Sequence, residues 1–194
     1  MSVKEYTIEQ CQRNEIKEFI EKWHYSKSIN GLISSYCFKL LDGDKLIGAM
    51  IYGKLAMANA WKKYGDNIND VIELRRLCCI DDTPKNTESY FIGRTLRWLK
   101  QNTKIKTVVS YADPEYGHSG IIYQASNFKL TGKTSNGKVI MLNGKKYHDK
   151  AIRTCYNGKL KPFALKLKQE LENGNAYYKK TVGKNIYIYK LANN

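Results

Sequence analysis

The stretch from Ser110 to Tyr123, SYADPEYGHSGIIY, crowds Ser110, Tyr111, Asp113, Tyr116, His118 and Tyr123 into fourteen consecutive positions. Polar groups at that density are costly in a core and useful in a cleft. Asp113 has the chemistry of a general base, or of an acceptor that holds an amino group, and Tyr123 can donate a proton or stack on a ring. A helix cap and a packed aromatic are their plain alternatives. A second stretch, DDTPKNTES at 81–89, follows a run bearing Glu73, Arg75 and Arg76 and opens a helix whose first amides can receive an anion. Strand alternation sets Arg75 and Arg76 on opposite sides of a sheet. Whichever turns inward requires a carboxylate, a phosphate or carbonyl dipoles as its partner, because an unpaired buried charge is strongly destabilising. His24 and His118 complete the set, and a lone histidine is more often a structural hydrogen-bonder than a catalyst or metal ligand.

These residues need elements to hold them. Ile16, Phe19, Ile20 and Trp23 recur at helical spacing behind Asn14, a candidate cap, so a short amphipathic helix precedes His24. SSYCFKLL and KLIGAMIY flank Asp42-Gly43-Asp44 and predict an antiparallel hairpin. Residues 56–70 read as a loop or short helix. VIELRRLCCI at 71–80 is apolar and β-branched enough for a central strand, and a helix with Phe91, Ile92, Leu96 and Leu99 on one stripe follows over 87–100. TVVSYAD is the next strand, ending at Asp113, and SGIIYQASNF the next helix. Strand, helix, strand and helix in succession predict parallel crossovers. Later, Asn143-Gly144 marks a basic hairpin, Pro162 opens a helix to Leu171, and NIYIYK alternates as a strand. The expected fold class is α/β: a mixed central sheet with helices on both faces. Ligands of open α/β sheets collect beyond the carboxyl ends of the strands, where both polar stretches fall.

The chain has 194 residues, and this length predicts one domain over 1–194, with a core over 14–134 and a basic C-terminal part over 135–194. No apolar run approaches the roughly 18 residues that span a bilayer, and the start lacks the basic-then-apolar order of a secretory signal, so no membrane is expected and the cytoplasm is. Net charge is +15, and the segment from Lys129 onward holds 15 basic and 3 acidic residues, leaving +3 for everything before it. A basic block interleaved with Tyr147, Tyr156, Tyr177, Tyr178, Tyr187 and Tyr189 suits a polyanion, with Lys145, Lys146 and Lys150 as phosphate contacts. A solvated lysine-rich surface is the plain reading of the same residues. The five cysteines form no CxxC pair and no metal-finger spacing, which argues for free thiols rather than a structural zinc. Cys78 and Cys79 read as packed strand residues.

WHYSKS at 23–28, ELRRLCCIDDTPKNTES at 73–89 and VSYADPEYGHSGIIYQASNFKLTGKT at 109–134 resemble, in order and spacing, the phage Mom proteins. The resemblance implies a GNAT-like acyltransferase fold and an activity that converts adenine in DNA to carbamoylmethyladenine, protecting phage DNA from host restriction within the bacterial cytoplasm. By position it implies catalytic roles for Tyr25, Arg76, Ser89, Asp113 and Tyr123, which His24 adjoins; Ser110, Tyr111 and His118, from the polar stretch itself, are expected beside the substrate. The donor it implies is an acyl-CoA or another activated glycine-like group, and any metal is left open. TPKNTES lacks the glycines of the usual coenzyme A pyrophosphate loop. The expected partner is double-stranded DNA with a flipped adenine, since an amine paired inside a duplex is out of reach. Two alternatives explain less: a GNAT acyltransferase acting on a small amine or protein, and a non-catalytic nucleic-acid binder.

Overall fold

The computed structural model describes residues 3–57 and 59–191. The chain divides into two compact units, Met1–Gly132 with Asn185–Asn194, and Lys133–Lys184.

The first unit is built on a seven-stranded sheet. Its strands are β1 (Thr7–Cys11), β2 (Tyr36–Asp42), β3 (Lys45–Gly53), β4 (Val71–Cys79), β5 (Thr107–Ala112), β6 (Lys129–Lys133) and the last strand of the chain, β12 (Asn185–Lys190), in the order β1-β2-β3-β4-β5-β12-β6. The hairpin expected around Asp42-Gly43-Asp44 is β2–β3, with Gly43 at φ +58°, the left-handed geometry its turn requires. The 56–70 segment carries two short 3-10 turns, Ala60–Lys63 and Ile68–Asp70, with residue 58 outside the described residues.

Helices cover both faces, as expected. Helix α1 (Lys17–Trp23) is preceded by a 3-10 turn, Arg13–Ile16, capped reciprocally by Gln12 and Glu15 rather than by Asn14. It buries Ile16 and Ile20 against Ile29, Leu32, Cys37, Ala49, Ile51 and Cys78. On the opposite face, α2 (Thr87–Asn102) buries Phe91, Ile92, Thr95, Leu96 and Leu99, packed with Phe38, Tyr52, Leu74 and Val108. There the buried Tyr52 hydroxyl finds its partner in Thr95, 2.8 Å away.

Two expectations are corrected. First, of the expected parallel crossovers, the strand registers of the described residues show one, β4 with β5; the short α3 (Ile121–Ala125) leads into β6 at the sheet edge beyond β12. Second, Arg75 and Arg76 do not straddle the sheet. The register of β4 against β3 slips between Ile51↔Arg76 and Tyr52↔Leu74, leaving Arg75 as the extra residue of a β-bulge. Leu74 and Leu77, three apart, consequently pack into the same α2-side cluster. Both arginines fall on the other side: Arg76 opposite Ile51, and Arg75 lying over Gly53.

In the second unit, β7 (Gly137–Leu142) and β8 (Lys145–His148) form the expected hairpin, with Asn143 and Gly144 at φ +49° and +73°, the two positive angles of a type I′ turn. β11 (Ala176–Thr181), which the sequence reading passed over, pairs with the other side of β7. Helix α4 (Pro162–Glu172) starts at its proline, as expected, and buries Leu167 against Ile140 and Ala176. A two-residue ladder, β9 (Cys155–Tyr156) with β10 (Lys159–Leu160), completes the unit. The basic segment expected over 135–194 thus divides: 135–184 falls in the second unit, and β12 returns to the first sheet.

Gly120 caps α3 at φ +85°, and a Cβ there would overlap the ring of Tyr187, whose hydroxyl donates to the Ser119 carbonyl at 2.8 Å. Gly120→Ala therefore combines backbone strain with overpacking and is expected to cost about 2–4 kcal/mol. A thermal melt reads that as a fall of roughly 4–16 °C, and an unchanged melting temperature would refute the tight approach.

Candidate active site

Parallel strands β4 and β5 pair from Val71↔Thr107 to Leu74↔Ser110 and no further, although β4 continues to Cys79 and β5 to Ala112. Beyond that point the two strands part. The Ser110 hydroxyl, fully buried, donates to the Leu74 carbonyl at 3.3 Å and closes the ladder. The residues singled out by the sequence gather around the opening.

On the α1 side, the chain leaving α1 places His24, Tyr25, Ser26 and Ser28. His24 is buried, and its Nδ1 accepts the Ser26 amide at 3.0 Å and lies 2.8 Å from the Ser26 hydroxyl. A backbone amide only donates, so Nδ1 is unprotonated and the neutral ring carries its hydrogen on Nε2. Burial, helped by the charges of Arg76, His118 and Lys27, pushes the His24 pKa down to about 3. This imidazole is neutral at physiological pH and offers one N–H. The Tyr25 ring is the hub of an aromatic cluster: its centroid lies 4.3 Å from His24, 4.5 Å from Tyr116 and 4.8 Å from His118. Tyr25 and Tyr116 keep 39% and 45% of their surface exposed, enough for a further ring to meet them.

Arg76 donates from Nε to the Ser28 carbonyl at 3.3 Å and from a terminal nitrogen to the Arg75 carbonyl at 2.8 Å. Its partners are carbonyl dipoles, one of the options the sequence left open. Burial lowers its pKa, with Tyr25 and Glu73 opposing that shift and Arg75 adding to it. Arg75 turns instead to the Lys54 carbonyl, at 2.8 Å, and to the buried carboxylate of Glu73, at 3.8 Å. Tyr111 is near enough to that second group for Glu73 and Arg75 to act on it, its hydroxyl lies 3.4 Å from that of Tyr64, and burial raises its pKa.

Across the opening, Tyr123 of α3 packs against Phe128 and Tyr187, with centroids 5.6 Å and 5.3 Å away. Burial pushes its hydroxyl pKa up to about 12, against the effect of a hydrogen bond to Ser110, while Tyr25, Glu73 and Tyr187 raise it further. Tyr123 is therefore a proton donor at neutral pH. Asp113, buried at the end of β5, accepts the Glu115 amide at 3.1 Å and caps the turn Pro114–Tyr116. The cap foreseen for Asp113 is present, and it uses one carboxylate oxygen.

Not every expected residue joins this group. Ser89 lies in the first turn of α2 with its hydroxyl on the Asn86 carbonyl. The adjoining loop turns Thr87 Oγ1 to the Pro84 carbonyl and Thr83 Oγ1 to that of Ile80, and carries Asp81 and Asp82 beside one lysine. The hydroxyls here are committed to carbonyls and the loop has no glycine, so an anion at this end of α2 would meet backbone amides rather than hydroxyls. Lys145, Lys146 and Lys150 are exposed in the second unit, with Lys145 and Lys146 on opposite faces of β8. Among the described residues no group of three or more His, Cys, Asp and Glu side chains has the arrangement of a metal site, and burial raises the Cys78 thiol pKa to about 12. Sequence reasoning left two participants out of the site. Tyr116 was visible in the polar crowding, and Ser26 needed the observed turn to show its hold on His24.

The fold as a whole superposes on known acetyltransferases. NAA60 of Arabidopsis thaliana, solved with acetyl-CoA, superposes with a TM-score of 0.56 at 9% identity over 95% of this chain and 98% of that one. A GNAT-family acetyltransferase of Streptococcus pneumoniae gives 0.54 at 7% identity over 97% and 100%. The spermidine N-acetyltransferase of Vibrio cholerae, solved with CoA and spermine, gives 0.53 at 12% over 97% and 96%. At such identities the likeness is one of fold, and the fold is GNAT-like. A model of the Mom protein family matches residues 5–194, and the chain belongs to that family. The methylcarbamoylase Mom of Escherichia phage Mu is 28% identical over 159 residues, which are 79% of this chain and 64% of that protein, so the match spans under two thirds of the relative's length.

The depressed pKa of His24 has a signed consequence. The unfolded chain takes up this proton near pH 6.5 and the folded chain only near 3, so stability is full above about 6.5 and falls as pH drops through that window. The slope is at most about 1.4 kcal/mol per pH unit. Urea unfolding between pH 4 and 7 is expected to show this loss in the wild type and a flatter profile in His24→Asn. Identical profiles would mean that His24 is not buried as a neutral ring.

Proposed function

We propose that this protein is a transferase that modifies the exocyclic amine of adenine in phage DNA, installing a carbamoylmethyl group and so shielding the DNA from host restriction. One observation supports it above the rest: within a chain of the Mom family, an exposed aromatic cluster around Tyr25 stands at the parting of β4 and β5, with Asp113 at the end of β5 and a protonated Tyr123 opposite. A small-amine acetyltransferase has no need of three rings where its substrate enters, whereas a base turned out of a duplex does.

In this reading Tyr25, Tyr116 and His118 receive the adenine ring. The amine is a poor nucleophile because its lone pair is delocalised, so the site must hold it close and assist loss of its proton. Asp113 is the acceptor in this reading: as N6 bonds to the activated carbon of the donor, the bond from that carbon to its leaving group breaks, the leaving group departs with the electron pair, and the N6 proton passes to the Asp113 carboxylate. Tyr123 and the Nε2–H of His24 donate to oxygen on the incoming group, and Arg76 meets a negative charge on the donor. The donor is of the activated glycine-like class, an acyl-CoA included: a donor activated at its methylene gives the carbamoylmethyl group directly, whereas an acyl donor, bonding N6 at its carbonyl, gives the isomeric aminoacetyl group and requires a later isomerisation within the transferred group. Ser89 holds the helix start. The segment after Lys129 supplies the positive field that draws duplex DNA in, through side chains such as Lys145, Lys146 and Lys150.

Asp113→Asn keeps an oxygen for the Glu115 amide, removes the negative charge and puts an NH2 donor in place of the second carboxylate oxygen. Nucleoside mass analysis of co-expressed plasmid is expected to show modified adenine with the wild type and at least a hundredfold less with this variant, at unchanged melting temperature. Only standard nucleosides from wild-type cells, with the plasmid still fully cleavable, would overturn the function. Near wild-type yield from Asp113→Asn would leave Asp113 as a cap alone. Tyr123→Phe is expected to lose activity while keeping the ring; full activity would assign Tyr123 to stacking only.

A further inference from the structure

The three-stranded sheet of the second unit, in the order β11-β7-β8, has two unlike faces. Residues paired directly across antiparallel strands share a face, so the registers assign each side chain. Ala176↔Leu142 and Tyr178↔Ile140 on one ladder, with Ile140↔Tyr147 and Leu142↔Lys145 on the other, define the face that carries the small core. Leu167 and Leu171 of α4 close over it. Tyr177↔Met141, Lys179↔Val139, Met141↔Lys146 and Val139↔His148 define the other face. Across it run two rows, Tyr177-Met141-Lys146 and Lys179-Val139-His148. No hydrophobic cluster of the described residues includes any of these six side chains. Tyr177 is 61% exposed, Lys146, His148 and Lys179 are exposed, and Val139 and Met141 are half-buried between them.

Chemistry selects the occupant of that face. None of these six side chains is itself a carboxylate, and Asp149 Oδ1 lies 2.7 Å from His148 Nδ1 at the strand end. The unit as a whole carries 13 basic and 3 acidic residues over 133–184. That excess of positive charge favours an acidic partner, and a strip with one ring and two exposed lysines beside apolar side chains fits a sugar-phosphate backbone better than it fits a helix groove.

We propose that this uncovered face of the second unit's sheet is the DNA-binding platform, with Lys146 and Lys179 on phosphates and Tyr177 against a sugar or base. The proposal rests on the reading of the protein as a DNA-modifying enzyme and specifies which side of the basic segment meets the duplex. Of the neighbours Lys145 and Lys146, it assigns contact to Lys146; of Lys179 and Lys180, to Lys179.

Strand alternation supplies a charge-matched control. Lys146→Gln with Lys179→Gln removes two charges from the uncovered face, and Lys138→Gln with Lys180→Gln removes two from the helix side, where Lys138 and Lys180 pair directly. Affinity of the full-length chain for a fluorescent duplex oligonucleotide is measured by anisotropy across a salt series, with a thermal melt on each variant. The first pair is expected to lose about tenfold in affinity and to flatten the log-log salt slope by about 1.8, which is two phosphates at about 0.9 each. The second pair is expected to lose less than about threefold with an unchanged slope, and Tyr177→Ala to weaken binding without changing the slope. Equal losses from both pairs, or a larger loss from the second, would overturn the face assignment while leaving DNA as the partner. A wild-type chain that does not bind the duplex, or that binds an acidic peptide in its place, would overturn the DNA-modifying reading itself.

Discussion

Everything at the candidate site depends on where β4 and β5 stop pairing. A parallel ladder that continued past Leu74↔Ser110 would bury the carboxyl ends of both strands in mutual hydrogen bonds and leave no opening. Parting the strands leaves main-chain groups without partners, and this chain resolves that with side chains and with a third strand. Ser110 Oγ takes the Leu74 carbonyl, Arg76 takes that of Arg75, and β12 occupies the far side of β5 as far as Asn185↔Ala112. The bulge at Arg75 belongs to the same solution. It allows Leu74 and Leu77 both to remain in the α2-side core while two arginines turn to the other face, so the strand leaves its partner without surrendering its packing.

Holding a guanidinium half-buried without a carboxylate is the second constraint. Arg76 rests on two carbonyls and leaves Glu73 to Arg75, so its positive charge is not cancelled by a fixed negative neighbour at hydrogen-bond distance. That charge reaches its surroundings: together with burial it keeps His24 neutral. A protonated histidine beside Arg76 would repel it, and a neutral one with Nδ1 fixed by Ser26 presents an N–H in a set direction. The WHYSKS turn is thereby a device for coupling one ring tautomer to one arginine through the Ser28 carbonyl.

Most of the elements were legible because their signals are local. The glycine in Asp42-Gly43-Asp44, Asn143-Gly144, the stripe from Phe91 to Leu99 and the alternation of NIYIYK each follow from turn geometry or periodicity within a dozen residues. What escaped is non-local. Nothing in VIELRRLCC announces that Arg75 is a bulge residue, because the slip is set by the strand opposite. AYYKKT carries too few apolar residues to read as a strand, and becomes one because β7 offers it an edge. The gathering of His24 with Tyr116 and His118 around Tyr25 is similarly a consequence of topology: α1 and the turn after β5 meet only once the sheet is assembled. Ser89 shows the converse, a residue adjacent in the motif order whose hydroxyl serves its own helix start.

Charge follows a different logic from packing, and the chain keeps the two apart. Residues before Lys129 are nearly balanced at +3, which leaves the local fields around His24 and Tyr123 to be set by a few fixed neighbours. The excess is concentrated where the core is small: among the described residues, Ile140, Leu167 and Ala176 are the buried members of the second unit's cluster, with Ala164 of α4 also buried. Lysines spread over a thin sheet repel one another, and that repulsion falls when a polyanion neutralises them. A surface so built gains most from a phosphate backbone and little from a neutral ligand. In such an arrangement a long-range attraction to a polyanion can be strong and indifferent to sequence, while the groups at the parting of β4 and β5, His24 and Tyr123 among them, answer to a few neighbours at short range.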